Sequence, residues 1–65
     1  MRRAKLLAYL EKHGCYLVRE GGKHSVYHNP AAERSSTVPR HSEVIDILAR
    51  KICKDLGIPA IRNKK

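Results

Sequence analysis

A chain of 65 residues forms a single domain, and a domain this small buries only about 60% of the surface that its unfolded chain exposes. This limit excludes a deep, multi-layered active site, so any chemistry must lie on an open surface or be completed by a partner. Hydrophobic residues make up 42% of the chain, which favours a folded domain over a disordered one. The formal net charge of +8 indicates a polyanionic partner, either a nucleic acid or an acidic protein.

The first predicted element is a helix over residues 3–13. Leu6, Leu7 and Leu10 recur at helical spacing, and Gly14 follows at the position where a left-handed C-cap is expected. The pattern therefore predicts an amphipathic helix that places one apolar stripe on the rest of the domain.

Three short strands are predicted after this helix, over residues 15–19, 24–28 and 35–38. The pair Gly21-Gly22 supplies a turn between the first two strands, which form a hairpin. Residues 29–34 form a loop, and Pro39 ends the third strand or confines it to a sheet edge.

A second helix is predicted from the segment that follows His41. Either Ser42 or Asp46 is expected to cap it, and Gly57 ends it. Its broad apolar face comprises Ile45, Leu48, Ile52, Cys53 and Leu56. We expect one domain over residues 1–59 and a frayed, basic tail over residues 60–65.

The order α-β-β-β-α predicts an α+β fold in which two helices cover one face of a three-stranded antiparallel sheet. The double-stranded-RNA-binding domain uses the same order, although a shared fold does not establish a shared function.

The cysteines and the N-terminal segment indicate the cellular compartment in which the protein is expected. Cys15 and Cys53 lie in apolar stretches, where buried free thiols are favoured over a disulfide. Residues 1–5 lack the apolar run of a signal peptide, so a cytoplasmic location is expected. No apolar run is long enough for a membrane span, and membrane binding is not expected.

The histidines raise the question of a metal site. His24 and His28 are four residues apart, which on a strand places them on one face at a separation of about 13 Å. Bonds of about 2 Å to one ion cannot bridge that gap, and no Cys-x-x-Cys pair or acidic cluster supplements them. The sequence therefore predicts no metal and no other cofactor.

His24 has a different setting because it follows the glycine turn and Lys23. A turn without side-chain bulk allows a phosphate to approach closely, and an imidazole titrates near neutral pH. Such a group can remove a proton from a ribose 2′-hydroxyl or donate one to a leaving 5′-oxygen. The alternative is that His24 is only a polar residue of a hairpin turn, and spacing alone does not decide between the two.

The sequence resembles the HicA family of toxin–antitoxin mRNA interferases over nearly its whole length. The resemblance rests on the runs Glu20–Pro30, Ser36–His41 and Leu48–Ile58. The positions that match the family pattern are Gly22, His24, Val38, Pro39, His41 and Gly57. The resemblance implies a double-stranded-RNA-binding-like fold, metal-independent cleavage of mRNA with His24 as the catalytic residue, growth arrest in bacteria, and neutralisation by a HicB antitoxin that covers the histidine.

Lys23 departs from the family pattern, in which a small residue usually precedes the catalytic histidine. Its cation would disfavour the imidazolium form of His24 while offering a contact to phosphate. Lys23 is therefore a candidate auxiliary catalytic residue. His41 is another, because it matches a family position near the end of the third strand, where it could reach His24 as a second acid or base; the alternative is that a histidine beside a helix start serves as a packing or capping residue.

The candidate RNA-binding residues are Lys23, Arg40, Arg50, Lys51 and Lys54. The last three lie on the polar side of the second helix, where an ordinary solvated face or contact with an acidic antitoxin are the alternatives. Aromatic residues for base stacking are few. Tyr27 is the best candidate, although core packing is the more common role for such a residue.

Two other functions remain open at this point. A non-catalytic RNA-binding module of the same fold would bind RNA without shortening it. A small basic protein that serves only to bind an acidic protein would show no affinity for RNA.

Overall fold

The computed structural model describes residues 1–62, and their helices and strands follow the predicted order. The elements are α1 (Arg3–Lys12), β1 (Tyr16–Glu20), β2 (His24–Asn29), β3 (Arg34–Pro39) and α2 (Asp46–Asp55). The strands form an antiparallel sheet in the order β1-β2-β3. The predicted α+β fold of the double-stranded-RNA-binding type is confirmed.

The two faces of the sheet differ because side chains alternate along β2. Ser25, Tyr27 and Asn29 are buried under the helices, while His24 is exposed and His28 is half-buried on the other face. The face that carries His24, Val26 and His28 is called the open face below.

The core lies between the helices and the covered face of the sheet. Its buried hydrophobic residues are Leu6, Leu10, Cys15, Tyr27, Val38, Val44, Ala49, Ile52, Cys53, Leu56 and Ile61. Within the described part of the chain, neither helix is long and apolar enough to span a bilayer.

Both helices end in the same glycine-dependent motif. In α1, the N–H of Cys15 donates to the Leu10 carbonyl at 2.9 Å; in α2, the N–H of Ile58 donates to the Cys53 carbonyl at 3.0 Å. Each bond runs from the sixth residue of a segment back to the first, which is the Schellman pattern. This pattern needs a residue in the left-handed conformation just beyond the helix. Gly14 and Gly57 supply it, as the sequence predicted.

The C-terminus of α2 is also tied to the strand ends on either side of the loop between β2 and β3. The buried Asn29 amide donates to the Leu56 carbonyl at 2.7 Å, and Arg34 Nε donates to the Asp55 carbonyl at 2.7 Å. Both bonds satisfy carbonyls that the end of a helix leaves without partners. They also fix α2 relative to the sheet.

The predicted cap of α2 was wrong. Neither Ser42 nor Asp46 caps the helix, which begins after Ile45 with no side-chain hydrogen bond at its N-cap. The segment before α2 bonds instead to the start of the chain, where the Ser42 carbonyl accepts the N–H of Arg3 at 2.9 Å. This pairing turns Val44 into the core, so that Ile45, predicted on the apolar face, is 69% exposed.

Both cysteines lie in the hydrophobic core. Cys15 and Cys53 are buried free thiols, as predicted, and burial raises the pKa of each because the thiolate would lose its hydration.

The predicted frayed tail starts at residue 60, but Ile61 is packed into the core and is 4% exposed. Residues 63–65 of that tail lie outside the described residues.

The end of α2 gives a test of the packing. Gly57 has a φ of +73°, and a Cβ there would lie 3.1 Å from the Ala32 Cβ. Gly57→Ala should lower the free energy of unfolding by about 1–2 kcal/mol because the left-handed conformation is strained for alanine, with crowding adding to the loss. Urea denaturation measures the change. Gly22→Ala is the control, since a Cβ at Gly22 meets nothing within 4 Å; equal losses in both variants would contradict the assignment.

Candidate functional site

The turn between β1 and β2 positions the predicted catalytic histidine. The N–H of Gly21 donates to the His24 carbonyl at 2.8 Å and closes the turn. A Cβ on Gly21 would lie 3.0 Å from that same oxygen, so a glycine allows the turn to close this tightly. His24 is the first residue of β2, and its side chain is exposed.

The start of β2 lies beside the end of β3. His24 pairs with Pro39 in the register of the sheet, and the N–H of Arg40 donates to the Lys23 carbonyl at 3.3 Å. The structure thus brings together four predicted site residues, which line a surface depression of about 490 Å³ with Gly22. These residues are Lys23, His24, Arg40 and His41.

A hydrogen-bond network under this depression joins α1 to the strand ends. Arg3 Nε donates to the Pro39 carbonyl at 2.8 Å, and Arg3 Nη2 donates to Ser25 Oγ at 2.9 Å. Ser25 Oγ in turn donates to Glu20 Oε1 at 3.0 Å. One guanidinium therefore links α1 to β2 and β3, and Ser25 extends the network across the turn to Glu20 of β1.

The same network holds Arg40 at the rim of the depression. Arg40 Nη2 lies 3.3 Å from Glu20 Oε2, and Arg40 Nη1 donates to the Gly21 carbonyl at 2.9 Å. An ion pair this exposed contributes little stability, about 0–1 kcal/mol. Its main consequence is geometric, because the guanidinium is fixed to the backbone of the turn that carries His24.

Sequence reasoning missed Arg3, Glu20 and Ser25. The available signal was Ser25, a hydroxyl at a core-facing position of a strand, which needs buried hydrogen-bond partners. The sequence does not say which residues provide them, because Arg3 is 22 residues away along the chain.

The predicted cations of α2 lie elsewhere. Arg50, Lys51 and Lys54 line a separate depression with Ile47 and Ile58. Lys51 Nζ also lies 3.6 Å from Asp55 Oδ2. Since the buried residues of α2 face the sheet, these exposed cations are on the outer surface of the helix layer, away from the open face.

The aromatic side chain exposed on the open face is not the one that the sequence favoured for base stacking. Tyr27, the best stacking candidate from sequence, is 5% exposed and belongs to the core. Tyr16 is 51% exposed, and its ring lies against that of His28 on the open face.

His24 and His28 lie on one strand, as expected. Among residues 1–62 no three His, Cys, Asp or Glu side chains come together in a group that could hold a metal ion.

With this geometry in place, comparison with known proteins identifies the family. The family model described as the HicA toxin of bacterial toxin–antitoxin systems matches residues 3–58. The chain belongs to the HicA toxin family. Neither a curated protein nor a solved structure gives a significant match.

The family match begins with α1 and ends at Ile58, just beyond α2, so it includes every helix and strand of this HicA protein. It also includes all members of the Arg3 network and all residues that line the His24 depression. The site described above is therefore part of the HicA domain.

The Arg3 network gives a second test. Arg3→Ala should lower the free energy of unfolding by about 1–3 kcal/mol, because it removes charge-assisted hydrogen bonds to Pro39 and to the buried Ser25 hydroxyl. Chemical denaturation measures the loss. Arg2→Ala is the matched control, since Arg2 is exposed and its replacement should change stability by less than about 0.5 kcal/mol. Similar values for the two variants would show that the network does not stabilise the fold.

Proposed function

We propose that this HicA toxin is a metal-independent endoribonuclease, an mRNA interferase, with His24 as its catalytic residue. The observation that carries the proposal is an exposed imidazole at a glycine turn, in one depression with Lys23, Arg40 and His41. The alternative role for His24, a polar residue of a hairpin turn, does not account for the other cationic and titratable groups around it.

The chemistry requires little from the protein because RNA supplies its own nucleophile. The ribose 2′-oxygen forms a bond to phosphorus as it loses its proton, and the bond from phosphorus to the 5′-oxygen breaks as that oxygen gains a proton. His24 exchanges one of these protons, and His41, in the same depression, is our candidate for the other. Acid–base groups and positive charge suffice for this reaction.

Lys23 and Arg40 are assigned to the phosphate. Both line the depression, and the network from Glu20 and Gly21 fixes the Arg40 guanidinium before substrate arrives. A fixed cation near the developing negative charge stabilises the transition state more than a mobile one.

We further propose that an acidic HicB-like antitoxin neutralises the toxin by covering this depression. Family membership implies a cognate antitoxin, and a cationic surface favours an acidic partner. Since mRNA and antitoxin share the bacterial cytoplasm, the toxin is proposed to act there.

Replacement of the imidazole tests the catalytic assignment. His24→Ala should reduce cleavage of labelled RNA in the presence of EDTA by at least about 100-fold, because general acid–base catalysis is lost. It should also relieve growth inhibition when the gene is expressed. His13→Ala is the control, because His13 lies at the end of α1 against Tyr9 and should leave cleavage unchanged. Circular dichroism confirms that each variant is folded.

Undiminished cleavage or toxicity of the His24→Ala variant would refute the catalytic role. A wild-type protein that binds RNA and never shortens it would indicate the non-catalytic RNA-binding module instead.

We also propose that the cations of α2 contact RNA phosphates outside the catalytic depression. The double variant Arg50→Ala with Lys54→Ala should reduce the magnitude of the slope of log affinity against log salt by about 1.4, because each single-strand phosphate contact contributes about 0.7. Filter binding across a salt series measures the slope. Lys12→Ala, an exposed cation on α1, is the control. An unchanged slope in the double variant would assign these cations to another partner.

A further inference from the structure

The open face of the sheet carries side chains in rows that run across the strands. Opposite Val26 in the register lie Arg19 on β1 and Thr37 on β3. Opposite His28 lie Tyr16 and Ser35. His24 lies at one end of the same face, so the rows form a surface that starts at the proposed catalytic residue.

An irregularity in β1 brings Arg19 onto this surface. The register shifts between Leu17 and Arg19, so that one extra residue, Val18, is inserted against β2. Without the shift Val18 would oppose Val26, and Arg19 would oppose the buried Ser25. The bulge therefore puts a cation on the open face, between the row of His28 and the end that carries His24.

The row of His28 presents a fixed pair of rings. The Tyr16 and His28 ring centroids lie 5.8 Å apart with their planes at 70°. A hydrogen bond of 2.8 Å between His28 Nδ1 and Ser35 Oγ holds the imidazole from the other side. An aromatic side chain that is half exposed and already ordered loses little conformational entropy when a flat ligand stacks on it.

The spacing along β2 suits a single nucleic-acid strand. His28 lies four residues from His24, which corresponds to about 13 Å along the strand. Arg19 occupies the row between them. An extended RNA strand along this line would place its scissile phosphate at His24, another phosphate at Arg19 and a base at the ring pair of Tyr16 and His28.

We propose that the open face binds single-stranded RNA, with a base near the cleavage point stacked on Tyr16 beside His28 and with Arg19 on an intervening phosphate. This inference rests on the proposed function, because it takes His24 as the point of cleavage. Sheet faces that bear exposed aromatic residues bind unpaired bases by stacking, and that mode tolerates any base. A duplex keeps its bases stacked internally, so the surface selects unpaired RNA.

The test uses the His24→Ala variant as a non-cleaving background and measures its affinity for a short fluorescent single-stranded RNA. Adding Tyr16→Ala should weaken binding about tenfold, because one stacking contact is lost. Tyr16→Phe should retain the affinity of the background, since it keeps the ring. Ile45→Ala is the matched control, because Ile45 is 69% exposed just before α2 and lies neither on the open face nor in the depression lined by the α2 cations.

A second measurement locates the stacked base. An abasic nucleotide is moved through the RNA one position at a time, and a single position near the cleavage point should lose about tenfold in affinity. In the Tyr16→Ala background the abasic nucleotide should cause no further loss of affinity, because the contact between the ring and the base has already been removed.

The outcomes separate this inference from the proposed function. If wild-type protein cleaves RNA through His24 but Tyr16→Ala leaves affinity unchanged, the stacking site is refuted and the catalytic assignment stands. If His24 proves irrelevant to cleavage, the catalytic assignment fails, and an affinity loss of about tenfold in the Tyr16→Ala variant would still support the stacking site. Equal dependence on Tyr16 for duplex RNA, or an absence of binding to any RNA, would overturn the inference.

Discussion

The arrangement of this protein depends on the guanidinium of Arg3. It lies at the start of α1 and donates hydrogen bonds to the end of β3 and to Ser25 of β2, and Ser25 continues the network to Glu20. A domain with so thin a core has few contacts to spare for orienting its surface turns. Hydrogen bonds from a half-buried charge are directional and stronger than neutral ones, so they fix the strand ends where apolar packing alone would leave them free to move. The depression around His24 takes its shape from this network.

The two-layer architecture explains why function is expected on one side of the sheet. The helices cover the face of Ser25, Tyr27 and Asn29, and the side chains of Ser25 and Asn29 have hydrogen-bond partners within the domain. The open face has no covering layer within the described residues, so its side chains are available to a ligand. The cations of α2 lie on the outer surface of the helix layer, and a strand of RNA that touches both surfaces must pass around an edge of the domain.

Membership of the HicA toxin family fits a site built on a small open surface. In the proposed cleavage, RNA carries its own nucleophile in the 2′-hydroxyl, so the protein would supply proton transfer and positive charge. Both can be placed on one glycine turn and the neighbouring strand end. Such a site is also accessible to a partner protein, because it lies on the surface, and the proposed neutralisation by an antitoxin requires this accessibility.

The sequence by itself determined the order of helices and strands, the ends of both helices at Gly14 and Gly57, the burial of the two cysteines, and the placement of His24 at a glycine turn. These features follow from local periodicity and from backbone conformations that only a few residues adopt. Only the tertiary structure decided which side chains meet. The partners of Ser25 and the start of α2 after Ile45 depend on hydrogen bonds between distant parts of the chain. The place of Tyr16 on the open face depends on the strand register, which sets it opposite His28, and the bulge at Val18 brings Arg19 onto the same face. A one-residue change of register moves a side chain to the other face of the sheet, and no local pattern in β1 indicates that change.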